Sequence, residues 1–132
     1  MIIGGVAVNV HGYSRATGDL DIWYNPTEEN FVKLLQAVRD FGFDTSDVES
    51  LINEPQKALL RLPLENLYIE CLAIIDGMLN YADVYSRTYN FTVEEGLVVK
   101  VIGYDGLIQN KIMSRRAKDI EDTAQLERRR YK

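Results

Sequence analysis

The chain holds one cysteine, one histidine and one tryptophan in 132 residues, with only three prolines. A lone cysteine, Cys71, excludes an internal disulfide, and its place in the apolar run LYIECLAII reads as a buried, inert thiol. A lone histidine, His11, leaves neither a histidine-based zinc cluster nor a Ser–His–Asp triad with support, and it reads as a structural residue packed under a loop. No apolar run reaches the roughly 18 residues that span a bilayer, and no charged-then-apolar leader opens the chain. These absences lead to the expectation of a protein of the reducing cytoplasm that makes no membrane contact. A basic surplus is missing as well, since 15 basic side chains face 20 acidic ones for a net charge of −5. A general DNA binder needs a basic surface to neutralise phosphates, so that class is set aside.

What is present is an ordinary globular composition, 46% hydrophobic and 27% charged. The length suits one domain, residues 1–132, with a real core. Charge is uneven: residues 1–110 carry 7 basic and 16 acidic side chains, whereas residues 111–132 carry 8 basic and 4 acidic. The basic end fits a small polyanion or an acidic partner, and equally a solvated helix.

The coarse pattern alternates strands and helices. MII reads as a short buried strand, followed by a helix in GGVAVNVHGY that its glycines open and its valines weaken. DLDIWY has the period of two of a half-buried strand. The clearest helix follows, with Thr27 as N-cap, Glu28 and Glu29 in the first turn, apolar Phe31, Leu34, Leu35 and Val38, and Gly42 as the stop. TSDVESLINE predicts a short helix closed by Pro55, KALLRLPL and LYIECLAI predict neighbouring strands, and GMLNYADVYSRT predicts another helix. YNFTVEEGLVVKVIG reads as a hairpin turning at Glu94, Glu95 and Gly96, and residues 104–132 as helices broken near Arg116–Lys118. The expected fold class is α/β or α+β, a mixed sheet with helices packed against it.

Two features carry chemistry. Asp19 and Asp21 stand two apart in a strand, so both project from one face, their Cα atoms about 6.5–7 Å apart. Such a pair is either the solvent face of an edge strand or a site for a hard divalent cation, which takes carboxylate oxygens and leaves room for substrate phosphate. The pair Gly4–Gly5, between the first strand and the first helix, is either a tight turn or a place where backbone approaches a ligand. Phosphate beside a carboxylate-held metal is the layout of phosphoryl transfer.

Thirteen residues separate Gly5 from Asp19, and with DLDIW the arrangement resembles the signature of the nucleotidyltransferase superfamily typified by DNA polymerase β: a Gly-Gly turn, a paired-aspartate strand and a third acid on a later strand. GGVAVNVHGYSRATGDLDIW is similar to small bacterial nucleotidyltransferase-like proteins, relatives of the minimal and abortive-infection types. Their tail, a Leu-Ile-x-x-Lys stretch ahead of Lys-Asp-x-x-Asp, resembles residues 107–122 here, so the likeness covers nearly the whole chain.

The resemblance implies the nucleotidyltransferase fold and a metal-dependent enzyme using Mg²⁺ or Mn²⁺ and an NTP, with ATP the expected nucleotide. It would transfer a nucleoside monophosphate to a hydroxyl of a protein, an RNA or a small molecule and release pyrophosphate, within a toxin–antitoxin or phage-defence system. It assigns Asp19, Asp21 and Glu70 to the metals, with Glu70 standing where the family more often has aspartate. Gly4 and Gly5 would cradle the triphosphate, Arg15 and Thr17 would lie near phosphate, and Lys111 and Lys118 would reach triphosphate or ribose. Asp119 and Asp122 would brace the last helix. The alternative is a catalytically weak antitoxin or regulatory module that acts by binding a partner protein, a toxin or an antitoxin. Family members carry a helix ahead of the first strand, and this chain opens directly on Ile2 and Ile3. Apolar surface left bare there leads to the expectation of a homodimer.

Overall fold

The computed structural model describes residues 1–77 and 79–130. Their architecture is α+β, a six-stranded mixed sheet with helices on both faces. The strands are β1 (Ile2–Ile3), β2 (Asp19–Trp23), β3 (Leu59–Pro63), β4 (Tyr68–Leu72), β5 (Tyr89–Glu94) and β6 (Leu97–Val101). The helices are α1 (Gly4–Val10), α2 (Glu28–Asp40), α3 (Tyr81–Tyr85), α4 (Tyr104–Ser114) and α5 (Ala117–Arg130). The order across the sheet is β3-β4-β2-β1-β6-β5. β2 runs parallel to β4 and β1 parallel to β6, while the β1–β2, β3–β4 and β5–β6 pairs are antiparallel. No helix of the described residues is long and apolar enough to cross a membrane.

Alternation along the strands builds two cores. Trp23 joins Ile3, Val101, Leu107 and Leu126 in the first, under α1, α4 and α5. Tyr24, Cys71 and Leu60 join Phe31, Leu35 and Val38 of α2 in the second. Ile22 packs against that second core, so neighbours in β2 serve opposite faces. Burial pushes the Cys71 thiol up to about 11. The Trp23 indole N–H donates to the Ala73 carbonyl at 3.0 Å, satisfying its one polar atom in the core.

α2 follows its sequence signals closely. The Asn30 N–H donates to Thr27 Oγ1 at 3.2 Å, which caps the first turn, and Gly42 leaves the helix at φ +103°. Elsewhere the elements shrink. The helix expected in TSDVESLINE is a single 3-10 turn, Glu49–Leu51, and Pro55 opens a second 3-10 turn at its first position instead of only ending a helix. The helix expected over GMLNYADVYSRT is confined to Tyr81–Tyr85, because the Asn80 side chain accepts from the Asp83 N–H and fixes the start there. Met78 of that predicted helix, and Tyr131 and Lys132 of the closing one, lie outside the described residues. The break between α4 and α5 falls at Arg115, in the left-handed region at φ 55°. In β1 itself Ile3 is 4% exposed and Ile2 half-buried.

Candidate functional site

The β1–β2 pairing sets Ile3 opposite Asp21, and the parallel β2–β4 pairing sets Asp21 opposite Glu70. Paired strands lie about 4.8 Å apart, so Asp21 stands in the middle of an acidic row with Glu70 beside it and Asp19 two residues back on the same face. Gly4 follows β1 directly and adopts φ +67°, where a side chain is strained. A Cβ there would collide with the Asp21 carboxylate. The glycine is what lets the chain turn from β1 into α1 beneath that acid.

Asp21 is half-buried, and its Oδ1 is shielded from solvent with no hydrogen-bond partner among the described residues. Burial raises its pKa above the usual carboxylate value, and Glu70 and Asp19 push the same way, while Lys118 and Lys111 pull it back. Glu70 has a cation only at arm's length: Arg61, opposite it on β3, stands 3.6 Å away with its guanidinium over the Tyr68 ring. Among the described residues, no three or more His, Cys, Asp or Glu side chains are gathered as a preformed metal cage. Three carboxylates share a face without closing on one point.

The facing wall is cationic. The loop between α1 and β2 folds back over Gly5, where a Cβ would come within 2.6 Å of Thr17 Oγ1 and 3.3 Å of Arg15 Nη1. Thr17 donates to the Asp19 carbonyl at 3.2 Å. Arg15 reaches α5 and grips Asp122 with Nε at 2.6 Å and Nη2 at 2.8 Å, a bidentate pair. Lys111 Nζ lies 3.0 Å from a carboxylate oxygen of Asp119 and 3.0 Å from one of Asp122. Arg116 closes on Asp119 with Nε at 2.8 Å and its backbone N–H at 3.2 Å.

This lattice is deep, with the Lys111 side chain 3% exposed and those of Asp119 and Asp122 at 0% and 1%. Burial alone would raise both carboxyl pKa values, but hydrogen bonds from Arg116 and Lys111 to Asp119, and from Arg15 and Lys111 to Asp122, outweigh it and hold both below the usual range. The hydrogen bond to Asp122 likewise raises Arg15.

Between these walls lie two adjoining cavities of about 270 and 380 Å³ that share Gly4, Asp21, Lys111 and Arg116. The first also takes in Gly5, Arg15, Thr17, Asp19 and Lys118, and the second Glu70. The structure thus brings all nine sequence-predicted site residues around one cleft. Their roles differ. Lys118 is exposed, whereas the Lys111 ammonium is held by two carboxylates. His11 lines neither cavity, and its Nε2–H donates to the Ile102 carbonyl at 2.7 Å. Sequence reasoning missed Arg116, which lines both cavities, although its place three residues before Asp119 in a helix start is a spacing that brings the two together. Other cavities, about 400 Å³ beside α3 and 620 Å³ between α4 and α5, contain none of the three strand acids.

Neither known protein-family models nor curated proteins match the chain.

The donor set suits a hard divalent cation. Carboxylate oxygens are the ligands such ions take, Asp21 Oδ1 lacks a partner, and the like charges around Asp21 call for a positive one.

Proposed function

We propose that the chain is a nucleotidyltransferase with the fold typified by DNA polymerase β, acting on an NTP, with ATP the expected nucleotide, in the cytoplasm. The observation that carries this reading is the unpartnered, half-buried Asp21 carboxylate, set between Gly4 and Glu70 and across a cleft from Arg116 and Lys118. An acid so placed is poorly suited to a merely structural role, because its burial is uncompensated.

Asp19, Asp21 and Glu70 would hold Mg²⁺ or Mn²⁺, which when bound neutralises phosphate charge and lowers the pKa of an attacking hydroxyl. Gly4 and Gly5, which line the cleft, would present backbone to the phosphate, and Lys118 and Arg116 would face it from the opposite wall. Lys111 acts from behind, fixing the carboxylates that aim Arg15 and Arg116. The acceptor hydroxyl oxygen attacks the α-phosphorus, the α–β bridging P–O bond breaks, and pyrophosphate leaves with its electron pair. Glu70, beside Asp21 in the acidic row, would take the hydroxyl proton.

A second reading keeps the fold and removes the chemistry, making the chain an antitoxin-like module that binds a toxin or other partner protein. The absence of a preformed cage among the described residues favours it. Incubating the protein and host lysate with α-³²P-labelled NTPs and Mg²⁺ or Mn²⁺ separates the two. Label moving to an acceptor with wild type, and not with Asp19→Asn/Asp21→Asn, is the expected result. Absence of transfer with every nucleotide and either metal would leave the binding module in its place.

A further inference from the structure

We infer that the second cavity of the cleft is the subsite for the base of the nucleotide, where Asn110 and Asp76 select a base with an exocyclic amino group. Adenine and cytosine carry one at the position in question, and guanine and uracil carry a carbonyl there. The inference rests on the nucleotidyltransferase reading, and its test tells the two apart.

The cleft has two unlike ends. Gly5, Arg15, Thr17 and Lys118 line the first cavity and not the second, which makes the first the cationic end suited to a triphosphate. Gly4, Asp21 and Arg116 line both, so the reacting phosphate belongs at the junction. The nucleoside is then left with the second cavity, whose volume of about 380 Å³ lies within the range of small-molecule sites.

Two independent features of that lining match a base. The first is apolar. Ile74, just past the end of β4, lines the cavity and is 69% exposed, a bare apolar surface that a flat ring would take from water. The second is polar. Asn110 of α4 is only 8% exposed, and its Nδ2–H donates to the Asp76 carbonyl at 2.9 Å. A carbonyl can only accept, so the amide orientation is fixed and Oδ1 is the atom left over. Among the described residues Oδ1 receives no hydrogen bond, and it is not sealed from solvent as Asp21 Oδ1 is. An acceptor this deep in a residue that lines a cavity calls for a donor from the ligand.

Asp76 adds a second acceptor. Ser114, one turn along α4 from Asn110, donates to Asp76 Oδ2 at 3.0 Å and leaves Oδ1. An amino group brings two hydrogens to such a pair of oxygens, whereas a carbonyl there would set acceptor against acceptor. The apolar side favours the larger ring, so the expected order is adenine, then cytosine, then guanine and uracil.

Isothermal titration with Mg²⁺ and α,β-methylene nucleoside triphosphates tests this without chemistry, because their α–β link cannot be cleaved. The adenosine compound is expected to bind tightest, and its purine riboside counterpart, which lacks only the amino group, about tenfold more weakly. Asn110→Leu, checked for folding by circular dichroism, should weaken the adenosine compound by about the same factor and leave the purine riboside compound unchanged. If that variant does not fold, the purine riboside comparison on wild type decides, beside Ile74→Asp, which is expected to weaken every base. Equal affinity for all bases, or a preference for the amino group that survives Asn110→Leu, overturns the inference while nucleotide binding stands. Absence of binding by every nucleotide with either Mg²⁺ or Mn²⁺ overturns the nucleotidyltransferase reading and this subsite with it.

Discussion

Asp119 and Asp122 are buried more deeply than Asp21, yet they hold their protons less tightly. Depth is therefore not what sets the two groups apart. The α5 acids lie among Arg15, Lys111 and Arg116, so their charge is already answered within the fold. Asp21 lies beside Glu70 and Asp19, and Lys118 and Lys111 offset that repulsion only in part. One carboxylate set is structural and closed, and the other is open to a cation from outside. A sequence shows both simply as paired aspartates, Asp19 with Asp21 and Asp119 with Asp122.

The comparison breaks most sharply at Lys111. Lys111→Met leaves two buried carboxylates without their shared cation, and the expected loss is about 3–5 kcal/mol in urea unfolding, the scale for removing one member of a buried pair. Acid should reveal the same lattice. The folded pKa values of Asp119 and Asp122 are depressed, so their stabilisation is present above the ordinary aspartate value of about 4 and lost as pH falls through the folded values. A wild-type acid-unfolding curve that coincides with that of Lys111→Met would remove the lattice from the account.

Gly4→Ala comes next. The left-handed backbone and the Asp21 carboxylate above it give an expected cost of about 1–3 kcal/mol, measured by thermal melting. Gly18→Ala is the control. A Cβ there meets nothing within 4 Å, so the expected change is within about 0.5 kcal/mol. Equal effects at the two glycines would refute the close approach.

The smallest effect has the opposite sign. Asp21→Asn should stabilise the metal-free protein, by less than about 1 kcal/mol because solvent screens a half-exposed acid. Its folded pKa is raised, so the gain should be absent below about pH 4 and appear as pH rises through the folded value. Added Mg²⁺ or Mn²⁺ should raise the melting temperature of wild type and leave Asp21→Asn unchanged. A cation response that survives the substitution would place the ion elsewhere.

Much of this is legible in the sequence. Thr27, the spacing of Phe31, Leu35 and Val38, and Gly42 define α2 because cap, stripe and stop are local signals. The period of two in DLDIW is local too, and it set both aspartates on one face. What stayed hidden depends on distance along the chain. Arg15 finds Asp122 across 107 positions, and no pattern near either residue announces the pair. Glu70 was assigned by the resemblance to a family with a third acid on a later strand, but its place opposite Asp21 needed the parallel β2–β4 register. The short elements misread for a different reason. At Asn80 and Pro55 a single side chain decides where a turn of helix begins, and the surrounding residues suggest a longer one.

Cys71 follows Glu70 in β4, so the strand that offers an acid to the cleft turns a thiol into the opposite core. With the thiol raised to about 11 and enclosed, a modifying reagent can reach it only when the core shared with α2 opens. The rate at which the native protein takes up such a reagent is therefore a clock for the opening of the core behind the strand that carries Glu70, readable with no label introduced and no residue of the cleft altered.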